Sequence, residues 1–137
     1  MKQIKGTLNQ VELIGYVGAD PEQRILPSGV QICTFRVATK RWVGRSDDGE
    51  RAVETDWTPI EAWERLAERC SQALRKGSRV RVSGSLHTQS WDDRETGQRH
   101  YKTIVRAADV MYLDARQESQ HEADEGAVEE AVEELPF

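Results

Sequence analysis

The chain has 137 residues, of which 37% are hydrophobic and 31% are charged, so it can build one modest core but not a large two-domain enzyme. No stretch approaches the ~20 consecutive apolar residues of a membrane helix, and residues 1–15 lack the apolar run of a secretory signal. Cys33 and Cys70 lie far apart in apolar segments, which indicates reduced core thiols rather than a disulfide. We therefore expect a cytoplasmic domain.

The net charge of −5 is divided unevenly along the chain. Residues 114–137 carry nine acidic residues and one basic residue, for a charge of −8, whereas residues 1–113 carry 18 basic and 15 acidic residues, for a charge of +3. The acidic segment is too polar to offset the entropy that it would lose on ordering. The sequence therefore predicts a folded domain over 1–113 and a disordered acidic tail over 114–137. This arrangement is compatible with a nucleic-acid binder, but also with many enzymes.

The first half of the folded domain has the pattern of β-strands. Val11–Val17 is a short apolar run, and turn residues follow at 18–21 and 27–29. A strand with one buried face is predicted next, because apolar residues alternate with more polar ones. Asp48 and Gly49 then predict a hairpin tip. The alternating apolar residues are Cys33, Phe35 and Val37.

One helix interrupts the strands. Its apolar residues fall on one face at a spacing of about 3.6 residues. Arg75 and Lys76 occupy the predicted last turn, and Gly77 is placed for a left-handed C-cap. The apolar face comprises Leu66, Ala67, Cys70, Ala73 and Leu74.

Strand patterns return in the second half of the domain. Thr96 and Gly97 predict a second hairpin tip, and residues 101–113 predict a last strand with a bend at Ala107 and Ala108. About five strands with one helix between the third and the fourth favour an all-β fold, a Greek-key barrel of the OB type. A β-sandwich with a helical insert is the structural alternative. The strand before the hairpin tip is predicted because polar residues alternate with Val80, Val82, Gly84 and Leu86.

Trp57 and Trp63 are six residues apart, so in one continuous strand they point to the same side. Ile60 and Ala62 on the opposite side form a plausible core face. A solvated face that carries two tryptophans and Glu61 is unusual unless it binds something. The alternatives are that Trp63 packs under the helix and that Trp57 belongs to the core.

Trp42 and Trp91 each lie beside a predicted hairpin tip, among basic residues. Exposed aromatic rings stack on nucleic-acid bases and cations neutralise phosphates, so this mixture is typical of a single-strand binding surface. The alternative is that both tryptophans cap the ends of a barrel core. The candidate phosphate contacts are Arg36, Lys40, Arg41, Arg79, Arg81, Arg94, Arg99 and Lys102.

The sequence offers little for catalysis. The three histidines do not combine with the cysteines at metal-ligand spacing, and the adjacent acids Asp92 and Asp93 suit solvation better than general acid–base chemistry. Neither a phosphate-binding loop nor a nucleophile elbow is present. We therefore predict no catalytic residue, no metal and no cofactor.

Several segments resemble, in order and spacing, the bacterial single-stranded DNA-binding protein family. The likeness spans residues 7–113 and resumes at 133–137, where EELPF is similar to the family's acidic tip that ends in Pro-Phe. The segments are 9–22 (NQVELIGYVGADPE), 38–42 (ATKRW), 55–57 (TDW), 66–68 (LAE), 74–78 (LRKGS) and 84–91 (GSLHTQSW).

The resemblance implies a non-enzymatic OB-fold protein, usually a homotetramer, that binds single-stranded DNA without sequence preference in replication, recombination and repair. The stacking aromatics of the family correspond to Trp42, Trp57, Trp63 and Trp91, although better-known relatives carry phenylalanine at position 63. The acidic tip of the family docks partner enzymes. Here it corresponds to Glu133, Glu134, Leu135, Pro136 and Phe137.

Other function classes stay open beside this one. An RNA-binding OB module would use similar stacking, with additional contacts to the ribose 2′-hydroxyl. A short acidic linker before the tip is also compatible with a specialised secondary copy of the single-strand binding protein. A nuclease would need clustered carboxylates for metal ions, whereas the acids here are dispersed or lie in the tail.

Overall fold

The computed structural model describes residues 4–45, 47 and 49–114. The disordered tail and the docking tip predicted for the C-terminal segment lie outside these residues, apart from Asp114. The described chain forms one helix and six strands. They are β1 (Val11–Val17), β2 (Glu22–Ile25), β3 (Gln31–Arg45), β4 (Arg51–Trp63), α1 (Glu64–Ala73), β5 (Arg79–Asp92) and β6 (Arg99–Tyr112).

Five of the strands close into a barrel. The strand order is β1-β5-β6-β4-β3, and β1 also pairs with β3, which joins the two ends. All of these pairings are antiparallel except that of β4 with β6. The helix lies between the third and fourth barrel strands in the chain, so the predicted OB-type barrel is confirmed and the β-sandwich is wrong. The short strand β2 pairs only with β3 and was not predicted, because its side chains are all exposed.

The barrel closes where β1 crosses β3, and Gly15 makes that crossing possible. A Cβ atom at Gly15 would lie 2.2 Å from the backbone oxygen of Ala38 on β3. No side chain fits at that distance, so the two strands approach as closely as their backbones allow. Immediately beyond, Tyr16 pairs with Ala38 and Val17 with Val37.

The predicted alternation on β3 and β5 is confirmed in the core. The inward residues of β3 pack against Ile60 from β4 and Val105 from β6, and the helix adds Ala67 and Cys70 to the same core. Leu86 is an exception because β5 continues past the core as one arm of a hairpin, which leaves that side chain half exposed. The predicted bend is confirmed as a bulge in β6. Ser83 pairs with Asp109 and Gly84 pairs with Ala107, so Ala108 is an extra residue between them.

The predicted end of the helix is wrong by one turn. The helix ends at Ala73, which is exposed, and Leu74 takes an extended backbone so that its side chain enters the core. Arg75 therefore follows the helix, although its guanidinium still donates a hydrogen bond to the carbonyl oxygen of Leu74 at 2.7 Å. Gly77 has a φ of 90°, but it lies in the turn after the helix and donates its N–H to Val17.

Lys76 likewise lies beyond the last helical turn, where its backbone N–H donates to the Asp20 carboxylate at 2.9 Å. No helix in the described part of the chain is long and apolar enough to span a bilayer.

The two thiols predict a measurable pH dependence of stability. Both cysteines are free and buried, and burial raises the pKa of Cys33 to about 11 and that of Cys70 to about 12. The folded protein therefore keeps two protons that the unfolded chain releases above about pH 8.5. This contribution to the free energy of unfolding is fully present below about pH 8.5 and is lost as the pH rises toward 11.

We expect Ellman's reagent to label neither thiol of the native protein at about pH 8, and both thiols once the chain is unfolded in denaturant. The urea midpoint of a variant with alanine at both positions should lose the alkaline component of its pH profile. Rapid labelling of the native protein would contradict the burial of these side chains.

Candidate nucleic-acid interface

The β3–β4 hairpin places three tryptophans on one side of the sheet. Its pairing keeps a single register from Trp63 as far as Trp42. Direct partners in an antiparallel pair project to the same side, and the side alternates with every residue. Trp42, Trp57 and Trp63 therefore share one face, here called the cleft face, as predicted for the latter two. Ile60 and Ala62 project from the opposite face into the barrel core.

An open cleft of about 720 Å³ borders this face. Trp57 lines it from β4, and Gln89 lines it from the β5–β6 hairpin. Trp91 follows Gln89 by two residues on the same strand and so lies on the same side of that hairpin. All four tryptophans thus belong to one side of the molecule. The charged residues that line the cleft are Asp20, Glu22, Arg24, Arg36, Glu61 and Lys102.

Trp57 and Trp91 are the most accessible of the four indoles, with exposed fractions of 52% and 50%. The Trp57 ring lies against the backbone of Gly18, where an added Cβ would come within 2.2 Å of the ring. Trp91 stacks on His100, with 5.6 Å between the ring centres and 27° between the planes. Trp57 is therefore not a core residue. The protein thus contacts the Trp57 ring at the Cζ3 edge and the Trp91 ring on one face.

Trp42 and Trp63 are half-buried, and a guanidinium group covers each ring. The Cζ atom of Arg51 lies 5.3 Å from the centre of the Trp42 ring. The Cζ atom of Arg106 lies 4.0 Å from the centre of the Trp63 ring. Both distances are within the range of cation–π contacts. Trp63 lies at the junction between β4 and the helix, as the alternative interpretation of this residue proposed. Its side chain nevertheless contacts Arg106 on the cleft face.

Three of the predicted phosphate contacts lie on the cleft side. Arg36 and Lys40 alternate with core residues on β3, so their side chains lie on the cleft face. Each is two residues from Ala38, the residue that pairs with Trp57. Lys102 lines the cleft from β6, on the same side of its hairpin as His100. These cations surround the most exposed indole of the cleft.

Two predicted contacts are held by carboxylates elsewhere. Arg41 lies on the opposite face of the β3–β4 hairpin, where it donates hydrogen bonds to Asp56 at 2.8 Å and Glu54 at 2.9 Å. The hydrogen bond to Asp56 raises the pKa of Arg41. Arg81 lies on the outside of β5, 2.5 Å from a carboxylate oxygen of Glu12, and this contact lowers the pKa of Glu12.

The remaining predicted contacts are not among the residues that line the cleft. Arg79 projects from the same side of β5 as Trp91 does, but at the other end of the strand, where it pairs with Tyr16 of β1. Arg99 adjoins His100 and so points to the other side of its hairpin, where it donates to the Ser90 hydroxyl at 3.2 Å. Arg94 is exposed in the loop between β5 and β6. The structure therefore divides the predicted basic set rather than bringing it together.

The residues that back the indoles were missed from the sequence. They are Arg51, His100 and Arg106, and Arg24 of β2 was missed as a cleft-lining cation. His100 is the direct cross-strand partner of Trp91, so a correct hairpin register would have found it. Arg106 faces β4 across a parallel pair that joins distant parts of the chain, so its partner has no local signal. Among the described residues, no group of three metal-binding side chains converges on one point.

The described barrel matches known proteins over its whole length. The model of the single-strand binding protein family matches residues 8–113. The chain belongs to this family. It is 41% identical over 109 residues to single-stranded DNA-binding protein 1 of Chlorobaculum tepidum, which covers 80% of this chain and 67% of that protein. It is 44% identical over 110 residues to the single-stranded DNA-binding protein of Caldanaerobacter subterraneus subsp. tengcongensis, which covers 80% and 70%.

A solved structure is similar to this chain in both fold and sequence. The Plasmodium falciparum single-strand binding protein in complex with single-stranded DNA has a TM-score of 0.69 and is 33% identical to this chain. The alignment covers 82% of this chain and all of that one.

The contact between Gly18 and Trp57 predicts that a single methyl group will move the ring. Gly18→Ala should push the indole off its support, because the new Cβ would overlap the ring carbon. We expect the emission of Trp57 to change in a variant with phenylalanine at the other three tryptophan positions. Ala19→Gly, which alters the adjacent loop residue without adding an atom, is the matched control. An unchanged spectrum in the Gly18→Ala variant would contradict the observed contact.

Proposed function

We propose that this protein binds single-stranded DNA without preference for base sequence. The observation that carries the proposal is the placement of four tryptophans on one side of the molecule, each of them in contact with a neighbouring residue that holds the ring. Every base has an aromatic face, so stacking on these indoles gives affinity without selecting a sequence. The names of the relatives and the DNA in the related complex support the same ligand.

We revise the set of residues proposed for phosphate binding according to where each lies relative to the cleft. Arg36, Lys40 and Lys102 remain, since they lie among the stacking residues. Cations already neutralised by a carboxylate on another face contribute less to a polyanion site, because both ions would have to separate. We therefore leave out Arg41 and Arg81. We also leave out Arg99, which points to the other side of its hairpin, and Arg79, which does not line the cleft. Arg94 remains a candidate in its loop. The cations that the structure adds are Arg24, Arg51 and Arg106.

Replacement of either exposed cleft-side indole tests the stacking. Trp57→Ala and Trp91→Ala should each weaken the binding of oligo-dT by about 1–3 kcal/mol, as measured by fluorescence anisotropy of a labelled oligonucleotide. Tyr101→Ala is the matched control, because that exposed aromatic side chain lies on the other side of the β5–β6 hairpin. If both tryptophan variants fold and bind oligo-dT with unaltered affinity, the stacking proposal is wrong. Oligo-rU of equal length in the same assay separates DNA binding from RNA binding.

The division of the basic residues predicts different salt responses. Each phosphate contact contributes about −0.7 to the slope of log affinity against log salt for a single strand. Lys40→Ala combined with Lys102→Ala should flatten the slope by about 1.4. Arg41→Ala combined with Arg99→Ala removes the same charge from the faces that point away, and should leave the slope nearly unchanged. Equal slopes for the two pairs would show that facing the cleft does not decide which cations meet DNA.

We also propose that the protein assembles as a homotetramer. Ile14, Arg81 and Met111 lie in one row across β1, β5 and β6, and the two apolar members of the row are half exposed. Apolar side chains on an open sheet face are suited to contact another subunit. Size-exclusion chromatography with light scattering, with and without oligo-dT, measures the assembly directly.

We place the protein in replication, recombination and repair in the bacterial cytoplasm, as a recruiter of other enzymes rather than an enzyme itself. The support is the sequence of the acidic tip, Glu133, Glu134, Leu135, Pro136 and Phe137. Acids followed by an aliphatic residue and Pro-Phe fit a partner pocket that combines basic residues with an apolar slot.

Deletion of Phe137 should remove partner enzymes from a pull-down while it leaves the affinity for oligo-dT nearly unchanged, because the tip anchors partners and not DNA. Gln117→Ala, a neutral change in the same segment, is the control. Identical partner sets with and without Phe137 would show that the tip is not a docking peptide. Incubation of labelled single strands with magnesium tests the nuclease alternative, and we expect no cleavage.

A further inference from the structure

Glu61 is an unexpected residue for a surface that receives a polyanion. It lies on the cleft face of β4 between Trp57 and Trp63, yet only 8% of it is exposed. One carboxylate oxygen accepts a hydrogen bond from Nε1 of Trp63 at 2.5 Å. The other accepts a hydrogen bond from Nε2 of Gln89 at 3.1 Å. A buried carboxylate is tolerated where hydrogen bonds satisfy it, and here both oxygens are satisfied by residues of the cleft.

Arg106 completes the cluster from the neighbouring strand. It pairs in register with Glu61 where β4 and β6 run parallel, and its guanidinium lies over Trp63, with Cζ 4.0 Å from the ring centre. Within the described part of the chain, the Arg106 side chain makes no hydrogen bond or ion pair. The ring contact is therefore the interaction that the structure gives to this guanidinium.

We infer that Glu61 and Arg106 are positioning residues for Trp63. Glu61 holds the edge of the indole through its N–H group, and Arg106 covers one face, so that the other face is presented to a base. Opposite charges on the two residues cancel, which lets a carboxylate hold the ring without adding net repulsion toward phosphate. Gln89 ties this cluster to the β5–β6 hairpin and so to the strand that carries Trp91. The inference rests on the proposed function, because it identifies Glu61 and Arg106 as the residues that orient Trp63 for stacking on a base.

The sign of the change in affinity separates positioning from simple electrostatics. Loss of a negative charge beside DNA should by itself tighten binding. Loss of the hydrogen bond to Trp63 should weaken it, because the ring would have to be ordered when the base binds. Glu61→Leu removes both the charge and the acceptor. Glu61→Gln removes the charge and keeps an oxygen that can accept from Trp63.

We expect Glu61→Leu to weaken oligo-dT binding by about three- to tenfold, and Glu61→Gln to bind as well as the unaltered protein or more tightly. In a Trp63→Ala background, Glu61→Leu should cause no further weakening. Glu54→Leu is the matched control, because it removes a carboxylate from the opposite face of the same strand. Affinity of Glu61→Leu equal to or above that of the unaltered protein would overturn the inference, as would an equal loss with and without Trp63.

A second measurement does not depend on DNA. With phenylalanine at positions 42, 57 and 91, the anisotropy decay of the full chain reports the local motion of Trp63 alone. Fast motion should increase in both Glu61→Leu and Arg106→Lys, the latter of which keeps the charge but loses the planar group. Unchanged decay in both variants would overturn the inference even if the protein bound no DNA. Failure of the unaltered protein to bind oligo-dT would instead overturn the proposed function.

Discussion

The single register between β3 and β4 is the constraint on which both the core and the candidate interface depend. Successive residues of a strand project to opposite faces, so the pairing that sends Ile60 and Ala62 into the barrel also sends Trp57 and Trp63 outward. A slip of one residue would exchange the two sets and would bury indoles where small side chains now pack. Packing of the core and exposure of the indoles therefore depend on the same register, and a change in one would change the other.

The cations that support the indoles combine two requirements of a single-strand binding surface. A stacking ring must be held in place, and the phosphates beside each base must meet positive charge. A guanidinium over a ring would meet both needs at one position, and Arg51 over Trp42 and Arg106 over Trp63 have this arrangement. A lysine would bring the charge without the flat contact. This combination is our reason for including the half-buried tryptophans in the proposed interface.

Patterns that repeat along the chain were predictable, whereas contacts between distant strands were not. Alternation located the core of β3 and β5, and turn residues located both hairpins. Leu74 misled the prediction of the helix end, because burial of its side chain outweighed continuation of the helix. Exposed basic residues look alike in a sequence, so Arg41 and Lys40 were grouped together although adjacent strand positions face opposite ways. The Glu61 cluster needed the parallel register of β4 with β6, which has no local signature.

The bulge in β6 has a consequence for how this domain can vary. One strand must turn Arg106 toward the cleft and yet bury Val105 and Ala107, and further along it must turn Val110 inward. A regular strand cannot meet all of these demands, because they change from odd to even positions at Ala108. The extra residue supplies that change of phase. Replacement of the exposed Ala108 side chain would affect only its surroundings. Deletion of the residue would exchange the inward and outward positions in one half of the strand. The length of β6 at this point therefore matters to the fold more than the identity of the residue that fills it.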